Sequence, residues 1–305
     1  MRIFRLIRTR KKVIGMVAIE IQKLKKNYGK HIGTRDVSFS VDKGELFGFV
    51  GPNGAGKSTT IKALLGFIFA QSGSAFIGGI DAFKNSKEIK KFTGYVPSDV
   101  NLYENMRISE LLRRNSRFYD VEEHDAEAER LCGLFELDVS KHFHELSSGN
   151  KKKASIVCAL APKPDVIIMD EPTNGLDPIM QIKLFTELKK RTAGGATVLL
   201  SSHNLAEVQE YCDKVAFIKD GKILAVTDLA EIHPQKIVTV TGGSFEPVES
   251  SDIIQRDKDK CIFRHNGDGK ALIELLGRIN PEEFTVQTES IEERFMNMYS
   301  EVIEK

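Results

Sequence analysis

Two short segments of the sequence carry residue types suited to phosphate chemistry. The first fits the pattern G-x-x-x-x-G-K-[S/T] and reads Gly51, Pro52, Asn53, Gly54, Ala55, Gly56, Lys57, Ser58, Thr59. Glycines let successive backbone N–H groups point inward at a polyphosphate, and a helix that starts here adds a favourable partial charge. We therefore expect the Lys57 ammonium to bridge the outer phosphates and the Ser58 hydroxyl to bind Mg²⁺.

The second segment is an apolar run that ends in two carboxylates, Asp170 and Glu171. Residues 166–169 are all apolar, as in a buried strand. Asp170 is suited to bind Mg²⁺ directly or through water, and Glu171 to orient and deprotonate an attacking water. Such base catalysis is worth roughly 10²–10⁴-fold in rate. The alternative for each segment is an ordinary polar turn, and the buried strand before each one argues against it.

Buried or half-buried strands with helices between them must position these groups. Alternating or continuous apolar patterns predict strands at 17–21, 37–41, 46–50, 166–169 and 197–200. Helical periodicity appears between them, for example at Leu184 and Leu188. Strands that alternate with helices indicate an α/β fold with a parallel sheet, whose sites lie at the carboxyl edge.

The chain divides into parts that differ in charge content and hydrophobic pattern. Residues 95–160 are charged and carry apolar stripes such as Ile108, Leu111 and Leu112, which predicts a helical insertion. After residue 225, short β-like runs return at 237–240 and 261–263. A closing amphipathic helix is predicted from Ile291, Phe295, Met298, Tyr299 and Val302. We expect a basic extension (1–16), a main α/β domain (17–225) and a small α+β accessory domain (226–305).

The basic extension carries six Lys and Arg residues and no acid. Its interleaved apolar residues would suit an amphipathic helix on anionic lipid. The alternatives are a leader without structure, or a true start at Met16. The extension lacks the apolar region of a secretory signal.

The composition of the sequence excludes several classes of protein. With 44 Lys and Arg against 43 Asp and Glu, the net charge is +1, so we expect no nucleic acid as partner. The four cysteines are dispersed without a C-x-x-C pair, which indicates reduced thiols rather than a disulfide scaffold. No stretch approaches the roughly 18 consecutive apolar residues of a membrane helix. If the protein works at a membrane, another chain must supply the span.

Three further stretches, in order along the chain, make the sequence resemble the ATP-binding subunits of ABC transporters. They read Leu146-Ser-Ser-Gly-Asn150, Asn174-Gly-Leu-Asp177 and Ser201-Ser-His203. The resemblance covers residues 17 to about 225. It implies a P-loop NTPase fold, that is, an ABC-type ATPase core with a helical insertion subdomain. It also implies ATP and Mg²⁺ as ligands and ATP hydrolysis as the activity.

The resemblance assigns roles to several residues. Tyr28 would stack on adenine, His203 would contact the γ-phosphate or the attacking water, and Asp177 would lie at the seam between two subunits. Each nucleotide would be held between the Lys57 loop of one subunit and a signature segment of the other. That segment comprises Ser147, Ser148, Gly149 and Asn150. A homodimer is the expected form.

The sequence departs from the family pattern in two segments, the signature segment and the segment around Ser98. In the family's L-S-G-G-Q, Ser148 replaces the first glycine and Asn150 the glutamine. The serine would cost about 1–3 kcal/mol only if its backbone is left-handed or unusually close to a neighbour. Ser98 stands where the family has a glutamine that couples Mg²⁺ to the membrane subunit, which leaves that role open. We expect a working site, and the alternative is a degenerate site that does not hydrolyse ATP.

The resemblance implies an ATPase subunit that dimerises on ATP and parts on hydrolysis. It would drive an integral membrane subunit on a separate chain, from the cytoplasmic face of the membrane. The short cassette, the stretches 150–153 and 174–178, and the accessory tail resemble the drug- and antibiotic-export branch. An importer ATPase is the closest alternative. A regulatory module without turnover, and an ABC protein of translation or DNA repair, are the others.

Overall fold

The computed structural model describes residues 17–29, 31–119, 121, 123–231, 236–249, 252–265 and 268–288. The predicted basic extension (1–16) and the predicted closing helix near residues 291–302 lie outside these residues. Contacts divide the chain into two compact units, with the division between Ala230 and Glu231.

The first unit is built on a ten-stranded sheet with helices between its strands. The strands are β1 (Val17–Tyr28), β2 (His31–Asp42), β3 (Leu46–Val50), β4 (Ser72–Ile77), β5 (Ile80–Asp81), β6 (Thr93–Val96), β7 (Val166–Asp170), β8 (Thr197–Ser202), β9 (Lys214–Lys219) and β10 (Lys222–Asp228). The helices are α1 (Lys57–Leu64), α2 (Ser86–Lys90), α3 (Ile108–Tyr119), α4 (His124–Phe135), α5 (Ser148–Leu160), α6 (Pro178–Ala193) and α7 (Leu205–Tyr211). The strand order is β5-β4-β1-β2-β10-β9-β3-β8-β7-β6.

One half of this sheet is parallel, as the sequence predicts. Strands β9, β3, β8, β7 and β6 pair in parallel. Every residue of β3, β7 and β8 is buried, which explains the apolar run that each strand contains. Parallel strands bring their carboxyl ends to one edge, so Val50, Asp170 and Ser202 end neighbouring strands.

The other half is mainly antiparallel, which the sequence pattern did not predict, although β2 pairs with β10 in parallel. Strands β1 and β2 form a hairpin because only residues 29–30 connect them, and a parallel pair needs a crossover of a dozen or more residues. Strands β4 and β5 extend this antiparallel part. The sheet of the first unit is therefore mixed.

Helices α3, α4 and α5 occupy the predicted helical segment. A 3-10 turn (Phe143–Glu145) precedes α5. The predicted apolar residues Ile108, Leu111 and Leu112 are buried. Helix α4 is joined to α6 by a charged network in which the Arg130 guanidinium lies 2.7 Å from both Glu127 and Glu187. The helical segment is thus tied to the α/β part by ion pairs.

The second unit is an α+β structure. Its strands are β11 (Lys236–Thr241), β12 (Ile253–Arg256), β13 (Lys260–His265) and β14 (Glu283–Thr288), in the order β12-β13-β11-β14. All these pairings are antiparallel. Helix α8 (Gly269–Ile279) supplies Leu272, Leu276 and Ile279 to the core. The sequence pattern predicted β11 and β13 but did not identify α8.

In the part of the chain that the structure describes, no helix is both long and apolar enough to cross a bilayer.

Candidate functional site

The loop between β3 and α1 has a backbone that only glycine fits at two positions. Gly56 has φ +110°, and a Cβ there would lie 2.2 Å from the carbonyl oxygen of Gly33. A Cβ at Gly51 would lie 2.1 Å from the carbonyl oxygen of Ile218. Because α1 begins at Lys57, the first N–H groups of the helix have no partner within it and face the loop. The predicted loop is therefore shaped as an anion cradle.

The Lys57 side chain folds back beneath this loop. Its Nζ donates to the carbonyl oxygens of Gly51 at 2.7 Å and Pro52 at 3.3 Å. The same Nζ lies 3.1 Å from Oε1 of Glu171, and both side chains are nearly buried. The structure therefore places the lysine of the first predicted segment in contact with the glutamate of the second.

The rest of the loop differs in exposure. Pro52, Asn53 and Gly54 are exposed, whereas Ala55 is buried. The side chains of Ser58 and Thr59, in the first turn of α1, are half-buried. The outer part of the loop is thus open to a ligand, while its base is packed into the fold.

Asp170 is fully buried at the end of β7. Its Oδ1 accepts a hydrogen bond of 2.6 Å from Ser201 Oγ, because Asp170 and Ser201 are paired in the parallel register of β7 and β8. Its Oδ2 is buried and finds no hydrogen-bond partner among the described residues. A buried carboxylate oxygen without a partner is costly, and hard cations such as Mg²⁺ bind such oxygens. Asp170 therefore fits a magnesium ligand.

The described residues contain no cluster of three or more His, Cys, Asp or Glu that could hold a metal by itself. This fits Mg²⁺, which is usually held by one or two carboxylates together with substrate phosphates and water. The Ser58 hydroxyl is the second protein group that the sequence predicts for such an ion. Both candidate ligands belong to segments that meet at the carboxyl edge of the sheet.

Glu171 is held from both sides. Oε2 lies 2.7 Å from Nδ1 of His203, whose side chain is half exposed, and Oε1 faces Lys57. The Glu171 N–H donates to the carbonyl oxygen of Ser201 at 3.2 Å and to Ser201 Oγ at 3.1 Å. These contacts fix the carboxylate between a buried cation and a solvent-accessible imidazole. Such a carboxylate is suited to accept a proton from water.

The backbone of Glu171 is left-handed, with φ +49°. For a residue with a side chain, this conformation costs roughly 1–2 kcal/mol, and surrounding contacts must hold it. The two hydrogen bonds from its N–H to Ser201 supply part of that restraint. Backbone strain is thus concentrated at the candidate base.

The signature segment is exposed at the start of α5. Ser147 caps the helix, since its Oγ accepts from the Asn150 N–H at 3.3 Å. Ser148 is the first residue of α5 and has no positive φ, so the left-handed strain considered for it does not arise. The close approach falls at Gly149 instead, where a Cβ would lie 2.4 Å from the carbonyl oxygen of Gly175. The glycine that the sequence keeps is the one that the packing requires.

Asp177 and Tyr28 lie away from the Lys57–Glu171–His203 cluster. Asp177 is exposed and caps α6, its Oδ1 accepting from the Met180 N–H at 3.1 Å. Tyr28 ends β1 with 47% of its surface exposed, and the Lys26 ammonium lies 5.3 Å from its ring centroid. Within the described residues, no hydrogen bond or ion pair joins Tyr28, Asp177 or the signature segment to the cluster. Their predicted roles require a ligand or a second subunit.

Two residues of the site were not assigned roles by the sequence analysis. Ser201 bonds both Asp170 and Glu171, and the signal for it was its position two residues before His203 at a strand end. Lys152 is buried and donates to the carbonyl oxygen of Ser98 at 2.7 Å. The signal for Lys152 was helical periodicity, because it shares the buried face of α5 with Ser155, Ile156 and Ala159.

Comparisons with known proteins agree with this geometry. The family model described as ABC transporter matches residues 34–174. The linearmycin resistance ATP-binding protein LnrL of Bacillus subtilis strain 168 is 36% identical over 219 residues, which cover 69% of this chain and 70% of LnrL. A solved structure of an ATP-binding subunit of an ABC transporter is 33% identical with a TM-score of 0.67. It covers 70% of this chain and 91% of that one.

A third relative is the protein named "Probable multidrug ABC transporter ATP-binding protein YbhF" of Escherichia coli strain K12. It is 34% identical over 215 residues, which cover 69% of this chain but 37% of YbhF. The chain thus matches little more than a third of that relative's length. Together with LnrL, these matches show that the chain belongs to the ATP-binding proteins of ABC transporters. The predicted family and the predicted P-loop ABC-type ATPase fold are confirmed.

Proposed function

We propose that this protein is the ATP-hydrolysing subunit of an ABC exporter and works as a homodimer on a separate membrane subunit. The observation that carries the proposal is the cluster in which Glu171 contacts both Lys57 and His203. It joins a phosphate-binding loop to a candidate base at one edge of the sheet. The relatives that are named as ATP-binding proteins support ATP as the bound nucleotide.

The loop Gly51–Thr59 is the proposed phosphate site. Its backbone N–H groups and the Lys57 ammonium would bind the phosphate oxygens, and Ser58 and Asp170 would hold Mg²⁺. When bound, Mg²⁺ would neutralise charge on the transferred phosphoryl group. The orphaned Oδ2 of Asp170 supports this assignment. Tyr28, exposed at the end of β1, is the proposed adenine contact.

Glu171 is the proposed general base. The base must accept a proton from the attacking water, and the Glu171 carboxylate is oriented by Lys57 and His203. His203 is half exposed, so it is able to reach both the carboxylate and a ligand outside the fold. In this proposal the loop binds the phosphates, and the residues that follow β7 and β8, Glu171 and His203, take part in proton transfer.

The proposed dimer pairs the loop of one subunit with the signature segment of the other. Ser147 and Ser148 are exposed, as such a contact requires, and Asp177 is exposed at the start of α6. Switching from mostly open to mostly closed needs about 5.5 kcal/mol of preference for the closed state. Charge-assisted hydrogen bonds of about 1.5–3 kcal/mol each are able to supply this from two γ-phosphates.

Export is proposed rather than import because two relatives carry names of that kind, a linearmycin resistance protein and a multidrug protein. The membrane subunit would be a separate chain, and this protein would sit against it on the cytoplasmic face of the membrane. The segment beside Ser98 and the helical insertion is the proposed place of contact.

The test is ATP hydrolysis by the purified protein and by Glu171→Gln. This change keeps the shape of the side chain and removes the base, so we expect kcat to fall by about 10²–10⁴-fold. Glu210→Gln, at an exposed carboxylate on α7, is the control and should stay within about twofold of the unchanged protein. Equal rates for the unchanged protein and Glu171→Gln would contradict the proposal.

A further inference from the structure

A lysine in α5 is buried without a counter-ion. Lys152 is 3% exposed, and no carboxylate of the described residues lies within 4 Å of its Nζ. Burial lowers the pKa of Lys152, and the more distant charges of Asp170, Asp99 and Glu171 oppose that shift. Lysine is rarely buried without a partner. The side chain is therefore placed there at a cost that its contacts must offset.

Those contacts are three backbone carbonyl oxygens. Nζ donates to Ser98 at 2.7 Å, to Pro97 at 2.9 Å and to Glu171 at 3.2 Å. An ammonium has three N–H donors and no acceptor, so each donor has one acceptor here. An uncharged side chain of the same length would not offer three donors from one atom.

The three acceptors come from the ends of two neighbouring strands. Pro97 and Ser98 follow β6, Glu171 follows β7, and these strands are paired in parallel. Lys152 itself lies one turn into the helix that begins with the signature segment. One ammonium therefore joins the loop of Ser98, the candidate base and the signature helix.

The bond to Glu171 falls on a residue with a left-handed backbone. Ser201 holds the N–H of Glu171, and Lys152 holds its carbonyl oxygen. The peptide groups on both sides of the candidate base are thus restrained by different elements. Loss of either restraint would free the carboxylate to leave the position set by Lys57 and His203.

We propose that Lys152 is a positioning residue for ATP hydrolysis, which holds the Ser98 loop and the Glu171 backbone in register with the signature helix. The proposal rests on the proposed ATPase function. Lys152 acts on the base through its backbone and does not touch the phosphate loop. Its loss should therefore change the rate of hydrolysis much more than the affinity for nucleotide.

The test compares Lys152→Met, Lys152→Gln and a matched control, Lys153→Met. Methionine keeps the length and apolar stem but removes all three donors, whereas glutamine keeps two N–H donors. Because misplacement of a reacting group by about 1 Å costs up to about a hundredfold, we expect kcat at saturating ATP to fall about 10–100-fold in Lys152→Met. The kcat of Lys152→Gln should lie between that of Lys152→Met and that of the unchanged protein. Lys153→Met removes the same charge at the next residue, and its kcat should stay within about twofold of that of the unchanged protein.

Binding and folding are measured on the same samples. The Kd for a fluorescent ATP analogue should stay within about threefold in all variants, and each thermal unfolding midpoint should lie well above the assay temperature. An unchanged kcat in Lys152→Met, or a loss of nucleotide affinity equal to the loss of kcat, would overturn the proposal. If Lys152→Met does not fold, Lys152→Gln decides by the same two criteria. An inactive unchanged protein would instead contradict the proposed function.

Discussion

At the scale of single residues, the sequence predicted the groups whose role follows from type and spacing. Lys57, Glu171 and His203 come from three separate segments, yet they meet in one cluster because each segment adjoins the end of a parallel strand. Ser201 and Lys152 were harder to predict. Their roles depend on strand register and on how deeply a helix is buried, and neither is visible in residue type alone.

The signature segment shows the same limit. The replacement of glycine by Ser148 looked like a source of strain, but the structure places that residue in ordinary helical geometry and puts the tight contact at Gly149. The departure from the family pattern thus falls at a position that tolerates a side chain.

Two neighbouring substitutions test this difference. In Gly149→Ala, the new Cβ would lie 2.4 Å from the Gly175 carbonyl oxygen. The overlap must displace the signature segment or the Gly175 backbone. Because misplacement of a reacting group by about 1 Å costs up to about a hundredfold, we expect kcat for ATP to fall about tenfold or more. Ser148→Gly should change kcat by less than about twofold. Equal effects of the two changes on the rate would show that this contact does not matter.

At the scale of elements, hydrophobic patterns predicted the buried parallel strands and also β1 and β2, but not the antiparallel pairing of β1 with β2. Buried strands such as β7 carry a continuous apolar run, here residues 166–169, which is a strong signal. The hairpin of β1 and β2 depends on the short connection of two residues between them, and α8 was missed although its apolar residues have helical spacing. The direction in which consecutive strands pair depends on the length of the connection between them, and hydrophobic periodicity does not contain this information.

Helix α5 packs tightly on β6, and this contact can be tested by substitution. At Gly94 a Cβ would lie 2.2 Å from the carbonyl oxygen of Ala159, so Gly94→Ala must push the helix from the strand. We expect it to lower the free energy of unfolding by about 1–3 kcal/mol. The measurement is urea unfolding followed by circular dichroism.

The matched control is Gly133→Ala in α4, where a Cβ would meet nothing within 4 Å. Alanine favours a helix over glycine, so this change should raise the free energy of unfolding by about 0.5–1 kcal/mol. A Gly94→Ala protein as stable as the Gly133→Ala protein would contradict the packing described for β6 and α5.

At the scale of the whole molecule, the first unit carries the features of an ABC cassette and the second unit is a separate α+β structure. The domain bounds 17–225 and 226–305 and the function of the accessory domain stay predictions. So do the homodimer and the membrane partner, because one chain leaves the signature segment and Asp177 without their expected contacts. A dimer would complete the site that each subunit holds in part.

The central claim is that a γ-phosphate holds two copies of this protein together. Its most direct test is the mass of Glu171→Gln by multi-angle light scattering with saturating Mg-ATP or Mg-ADP. We predict a particle of about twice 34.1 kDa with ATP and of 34.1 kDa with ADP, and Lys57→Ala should stay monomeric with either nucleotide. A mass of 34.1 kDa for Glu171→Gln with bound Mg-ATP would contradict the account.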